Sequence, residues 1–261
     1  MELSHAGTYR REVAASLARV WENVFDWEHL PSLHEASFHS VGLLEHGDWG
    51  WRVRLLNQPG DPAKAQVLEL RADRPAGVYV AATLSGPGAG TEIRTSLTRL
   101  AEHRTGVAVE FHVPEDRPER LAAIGARYGE VYARLWDEDE AMMVHRERAL
   151  AARRRPIDAG PLSLGPFDAV RAALPMPVEF GAARFRLVEL DGDLIAHAAD
   201  CPHWLGPLDE AVVEDGCIRC PWHGYRFDVR TGASADGRGL RLTAAPRVVL
   251  RDGAVFLEPI A

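Results

Sequence analysis

Near the C-terminal end, Cys201-Pro-His203 is followed, after sixteen residues, by Cys220-Pro-Trp-His223. Each segment offers one thiol and one imidazole at a spacing that a short loop can bring onto a single centre. Four such donors can bind Zn²⁺ tetrahedrally. Two thiolates on one iron and two imidazoles on another instead hold a [2Fe–2S] cluster, in which the imidazoles raise the reduction potential and add a protonatable site. Such a cluster passes single electrons and does no substrate chemistry of its own. The flanking residues favour the cluster over zinc. Gly206 and Pro207 in the first segment, and Gly224 and then Thr231-Gly232 in the second, would bend two loops around it. They would also let backbone N–H groups face its sulfurs.

The runs Cys201-x-His203-x-x-Gly206-Pro207-Leu208 and Cys220-Pro-x-His223-Gly224-x-x-Phe227-Asp228 closely resemble the two ligand loops of the Rieske family. The resemblance implies a [2Fe–2S] cofactor held by Cys201, His203, Cys220 and His223. Respiratory members of that family join their loops by an extra disulfide. Here Gly206 and Trp222 stand at the corresponding positions, which points to the low-potential ferredoxin and oxygenase kind. Tyr225 stands where the respiratory type has a serine donating to a cluster sulfur. The third cysteine, Cys217, reads as a small buried hydrophobe on the strand entering the second loop.

A second donor set lies upstream, in Asp26-x-x-His29-x-x-x-x-His34. This pattern resembles the catalytic domain of Rieske non-haem iron oxygenases, where two histidines and a distant carboxylate form a facial triad on Fe(II) with positions left open. The resemblance implies that His29 and His34 are ligands. It also implies that Asp26 bridges to a cluster histidine of a neighbouring subunit. The third ligand can be sought on physical grounds. Leu121, Ile124, Tyr128, Val131, Tyr132, Leu135, Met142 and Ala149 make an apolar stripe along one helix, interrupted by Asp137-Glu138-Asp139-Glu140. At about 100° per residue, Asp137 and Glu140 point away from the stripe, Glu138 sits at its edge and Asp139 near its centre. A carboxylate facing a cavity needs a partner, and a metal is a good one. The alternative is structural: Glu22, Asp26 and His29 would share the solvated face of a helix opposite Leu17, Val20, Trp21 and Val24, with Pro31 breaking that helix before His34. His39, His46, His103, His112 and His145 lack comparable spacing and read as surface or core residues.

The elements that must carry these groups divide into two sets. In residues 1–151 a strand at Thr8–Val13 and a helix at Leu17–Leu30 precede six strand-like runs, near 36–44, 49–57, 65–72, 78–85, 91–100 and 106–113. The Gly86–Gly90 run reads as a hairpin turn, since no helix follows it to cradle a phosphate. Pro118 then opens a helix of about thirty residues. This order resembles the START/Bet v 1-like helix-grip fold, an antiparallel sheet curled around a long helix, which implies an apolar cavity for a lipophilic small molecule. Residues 152–165 have linker composition, with Arg153–Arg155 as a solvated helix end. Residues 166–261, with strands such as Arg184–Leu190, Asp193–Ala198 and Arg247–Leu257 and Asp-Gly turns between them, read as a small all-β domain. The fold class is α+β.

Of 261 residues, 26% are charged and 46% hydrophobic, and the net charge of −8 gives no basic footprint for nucleic acid or an anionic membrane. No stretch is apolar enough to span a bilayer, no signal peptide opens the chain, and three cysteines with two assigned to iron suit a reducing cytoplasm. The resemblance as a whole implies an oxygenase component that hydroxylates or oxidatively demethylates a small apolar organic substrate with O2. No nicotinamide or flavin fingerprint is present, so electrons from NAD(P)H must arrive through a separate reductase or ferredoxin. The oxygenase family places its Rieske domain first, whereas this chain places it second. A homo-oligomeric ring, a trimer by family resemblance, is the natural assembly if one chain does not bring its own two metals together. The other reading is a non-catalytic ligand-binding and electron-transfer protein that carries only the cluster.

Overall fold

The computed structural model describes residues 2–152 and 159–260. Two compact units are seen, Met1–Glu147 and Arg148–Ala261. Among the described residues no helix is long and apolar enough to cross a membrane.

In the first unit the elements run β1 (Ser4–Val13), α1 (Leu17–Phe25), α2 (Leu30–Leu33), β2 (Phe38–Gly47), β3 (Gly50–Asn57), β4 (Gln66–Asp73), β5 (Val78–Ser85), β6 (Glu92–Ala101), β7 (Arg104–Val113) and α3 (Pro118–Ala152). The strands form one antiparallel sheet in the order β1-β7-β6-β5-β4-β3-β2. Period-two alternation sets its inner face: along β7, Thr105, Val107, Val109, Phe111 and Val113 are buried. Val107, Val109 and Phe111, with Trp51 and Val53 of β3, share a core with Val20, Trp21 and Val24 of α1 and with Trp136 and Met143 of α3. Full burial of each such side chain contributes about 1.5–3 kcal/mol.

Helix α3 is held to the sheet by two glycines. A Cβ on Gly125 would lie 2.0 Å from the Ala6 carbonyl oxygen, and one on Gly7 would lie 3.4 Å from the Gly125 Cα. Beside this contact Phe111 stacks on Tyr128 at 5.1 Å and 18° and meets Tyr132 at 5.2 Å. The space between helix and sheet is thereby filled along part of its length.

Three expectations are corrected here. The helix expected over Leu17–Leu30 ends at Phe25, because Asp26 turns extended (φ −87°, ψ 102°). Pro31 breaks no helix; it sits in the first turn of α2, where its missing N–H costs nothing. The linker expected over 152–165 is shorter at its end, since Leu162–Pro166 pair with a later strand; Arg153–Arg155 lie outside the described residues.

The second unit contains β8 (Leu162–Pro166), α4 (Phe167–Ala172), β9 (Met176–Phe180), β10 (Ala183–Leu190), β11 (Asp193–Ala198), β12 (Val213–Glu214), β13 (Cys217–Arg219), β14 (Arg226–Asp228), β15 (Arg247–Arg251) and β16 (Ala254–Glu258). They form three small antiparallel sheets, β11-β10-β9, β12-β13-β14 and β15-β16-β8. Asp191-Gly192, Asp215-Gly216 and Asp252-Gly253 all have positive φ at both residues, the two-residue hairpin turn whose twist matches the strands.

Candidate metal centres

The two Cys/His segments fold into loops of the same design. Cys201 N–H donates to the Gly206 carbonyl while its own carbonyl accepts from Leu205 N–H. Cys220 N–H donates to Tyr225 O, and its carbonyl accepts from Gly224 N–H. The fourth residue after each cysteine is left-handed in both loops: Gly224 at φ 70°, as expected of glycine, and Leu205 at φ 62°. Cys201, Cys220 and His223 are buried and His203 is half-buried. The two imidazoles meet edge to face with ring centroids 4.4 Å apart. The thiols reach each other: a hydrogen bond from Cys201 lowers the Cys220 thiol, with burial opposing and His223 helping, while the same pairing raises Cys201. Backbone N–H groups of His203 and Trp204 face the Cys201 sulfur, and those of Trp222 and His223 face Cys220.

Around these loops lie further aromatic rings. Tyr225 stacks on His203 at 4.6 Å and 20°, and the Arg238 guanidinium lies 3.9 Å from the Tyr225 ring centre. Trp204 sits 5.9 Å from His203 and 5.6 Å from His223. A Cβ on Gly206 would lie 2.7 Å from the Cys220 sulfur and 3.1 Å from the Trp222 ring, so the close approach of the loops requires glycine there. Cys217 begins β13 as expected, but it is half-buried rather than buried.

In the first unit, His29 and His34 flank the single turn of α2 as its N-cap and C-cap residues. That turn aims both rings at Asp139 of α3. One donor atom from each of the three lies within 4.8 Å of the others, and all three residues are buried. His34 Nε2 is 3.2 Å and His29 Nε2 is 3.5 Å from Asp139 Oδ1. The outward nitrogens face carboxylates: His34 Nδ1 bonds Glu138 Oε2 at 2.6 Å, and His29 Nδ1 is 3.3 Å from Asp26 Oδ2. A carboxylate at Nδ1 fixes the tautomer that leaves the Nε2 lone pair for a metal. Burial is the largest single influence on both Asp139 and His34 and disfavours their charged forms, but their mutual hydrogen bond and attraction, together with the neighbouring groups, outweigh it. Asp139, also held by His29 and Asn23, is lowered; His34, also held by Glu138, is raised. Three carboxylates surround two imidazoles, so negative charge is left over even with both rings protonated. A divalent cation on the neutral imidazoles would offset two of the three negative charges. The donor set suits one.

The sequence placed Asp139 among the candidates and missed two of its supports. Asn23 Nδ2 donates to Asp139 Oδ1 at 2.9 Å in a buried setting. Its signal was a polar residue between Trp21 and Val24 on an otherwise apolar helix face. Glu138 carried no role beyond the helix edge until its bond to His34 was seen. Asp26 and His29 are not on a solvated helix face: the Asp26 side chain is only 6% exposed. Asp137 is exposed as expected, whereas Glu140 turns onto Arg11 and the Ala14 N–H. Asn23, His29, His34 and Asp139 line a cavity of about 130 Å³ between α3 and the sheet.

Residues 163–245 match the family model of the Rieske [2Fe-2S] domain. The second unit contains a Rieske domain. Its match to apoptosis-inducing factor 3 of Mus musculus and Homo sapiens is 41% identical over 63 residues, 24% of this chain and 10% of that protein. The chain thus spans about a tenth of the length of these curated relatives. The anthranilate 1,2-dioxygenase ferredoxin subunit of Burkholderia cepacia is 34% identical over 70 residues, 27% of this chain and 65% of that subunit. Among solved structures, a START superfamily protein from Mycobacterium smegmatis shares 21% identity over 54% of this chain and 97% of its own, with a TM-score of 0.42. A Rieske domain implies a [2Fe–2S] cluster and electron transfer. The paired thiols, adjacent imidazoles and inward backbone N–H groups of this Rieske domain suit that cluster, and the room that only a glycine at 206 leaves beside Cys220 suits it too.

Proposed function

We propose that the chain is the oxygenase component of a Rieske non-haem iron system, with the cluster held by Cys201, His203, Cys220 and His223 and a mononuclear Fe(II) held by His29, His34 and Asp139. The observation that carries this is the convergence of the two Nε2 atoms and the Asp139 carboxylate in a buried cavity, on the same chain as a Rieske domain. The cluster would supply electrons singly, and the iron, with its open positions, would activate O2.

The chain's own residues would do the rest. Glu138 and Asp26 orient the two imidazoles, and Asn23 fixes the Asp139 oxygen. The apolar walls keep water from the reacting centre, where a small organic substrate would be hydroxylated or oxidatively demethylated. Asp26 would also bridge toward a cluster histidine of a neighbouring copy, in a homo-oligomeric ring of trimer type. Electrons from NAD(P)H would come through a separate reductase or ferredoxin in the cytoplasm.

A second reading is favoured by the likeness to a dioxygenase ferredoxin subunit: electron transfer by the cluster alone, with the first unit binding a ligand without iron. Metal analysis separates the two. The oxygenase requires about three irons and about two acid-labile sulfides per chain, and the ferredoxin-like reading about two of each. Loss of about one iron in His29→Ala and Asp139→Ala, with the sulfide unchanged, is expected. Full iron in both variants would sink the triad. Asp26→Asn should keep both metals and slow electron transfer between them; unchanged turnover would remove the bridge.

A further inference from the structure

The cavity beside His29, His34 and Asp139 is small, and its polar equipment is lopsided. Its volume of about 130 Å³ compares with a cavity of about 150 Å³ that admits one benzene ring and with the 300–1,000 Å³ typical of drug-sized ligands. The fold explains the size: Gly7 against Gly125 draws α3 onto the sheet, and Phe111, Tyr128 and Tyr132 fill the space beside it. The walls are mostly apolar, from Phe38, Trp51, Leu68, Ala81 and Trp136, and no Lys or Arg lines the cavity.

Two tyrosines, Tyr79 and Tyr132, complete the lining. Tyr79 lies directly opposite Thr95 across the β5–β6 ladder, yet the buried Thr95 hydroxyl has no hydrogen-bond partner, and none among the described residues reaches the Tyr132 hydroxyl. Burial keeps both phenols in the neutral, donating form. A half-buried donor on a cavity wall with no protein partner favours a ligand that supplies an acceptor.

We infer that this cavity takes a neutral molecule of about one six-membered ring bearing one hydrogen-bond acceptor, which Tyr132, with Tyr79 beside it, holds next to the His29/His34/Asp139 centre. The charge arm of the inference rests on the proposed iron site, since a divalent cation on two neutral imidazoles would offset the two buried carboxylates, Asp26 and Asp139, and leave only the part-exposed Glu138. The size arm and the Tyr132 arm do not depend on it. The small volume disfavours fused-ring substrates, and the absence of a lining Lys or Arg beside Asp26 and Asp139 disfavours carboxylates.

The test is titration of the purified full chain, metals retained, with cyclohexanone, a fused two-ring ketone, cyclohexanecarboxylate, cyclohexylammonium and methylcyclohexane. Binding is followed by the emission shift of Trp51 and Trp136. Cyclohexanone should give a saturable shift, and the fused ketone and the carboxylate should bind at least about tenfold more weakly. Tyr132→Phe, which keeps the ring, should weaken cyclohexanone about tenfold and leave methylcyclohexane unchanged. Ala81→Leu, which fills the cavity, should abolish the shift. Equal binding of the fused ketone, or an unchanged cyclohexanone affinity in Tyr132→Phe, would overturn the inference whatever the iron content. Tight binding of cyclohexylammonium would overturn the charge arm. Iron measured on the same sample shows whether the proposed metal site failed with it.

Discussion

At the scale of single residues, most of the chemistry is carried by groups that act through another group. Glu138 touches no cavity; it holds His34 by Nδ1. Loss of such a carboxylate partner typically costs about 10–100-fold in metal affinity, so Glu138→Gln should lower iron retention by about that factor in a chelator competition while Asp137→Asn does nothing. A parallel case stands in the Rieske domain. Arg238 places a positive charge over Tyr225, whose ring stacks on His203. That charge favours the reduced cluster, so Arg238→Gln should lower the reduction potential. Because Arg238 is partly exposed and paired with Asp236, the shift should be on the order of tens of millivolts in voltammetry. Arg238→Lys should keep most of it. The candidate donors that the structure brings together, His29, His34 and Asp139, were legible in the sequence as a group because His and Asp at such spacings have few other reasons to cluster. Their partners were not: Asn23 and Glu138 matter only through a pairing across more than a hundred residues of chain.

At the scale of elements, hydrophobic period decided what could be read. The seven strands of the first sheet and the long helix were legible because alternation along the strands and the stripe on α3 are long and regular. The end of α1 was not, since Asp26-Trp-Glu-His29 is acceptable helix sequence, and nothing in it announces that Asp26 turns extended with its carboxylate 3.3 Å from His29 Nδ1. Nor was β8 legible, because its Gly/Pro content looks like linker until β16 pairs with it across a bulge. The two glycines of α3 separate local propensity from packing. Glycine inside a helix costs about 0.8–1 kcal/mol relative to alanine, and Gly129 has open space at its Cβ position. Gly129→Ala should therefore stabilise by up to about 1 kcal/mol in urea unfolding. Gly125→Ala gains the same propensity but drives a methyl to 2.0 Å from the Ala6 carbonyl. It should destabilise by about 1–3 kcal/mol, and equal effects at both positions would refute the clamp.

At the scale of the whole molecule, the directions in which His34 and His197 are shifted predict opposite responses of the two units to acid, and a metal at the first site would reverse one of the signs. In the first unit, His34 is raised above its usual value by Asp139 and Glu138, despite burial. Its contribution to stability is complete below the unfolded pKa of about 6.5 and is lost as pH rises through the higher folded value. Asp139 is lowered, so its contribution is present above the unfolded value near about 3.9 and does not change in the neutral range. In the second unit, His197 is buried and held neutral, its pKa lowered by that burial and by Arg186 despite the Ala198 carbonyl. There the unfolded chain binds the proton first, so stability falls as pH drops below about 6.5. Taking the metal-free chain from pH 8 to pH 5.5 should thus stabilise the first unit and destabilise the second, read as opposite shifts of their unfolding transitions by domain-selective hydrogen exchange. His197→Phe should flatten only the second. With iron bound at Nε2, protonation of His34 competes with the metal instead, and the same acidification should weaken the first unit. A first unit that strengthens in acid without iron and weakens in acid with it is the thermodynamic signature of a ligand set in which His34 belongs to the metal; the same response in both preparations would return His34 to a plain ion pair.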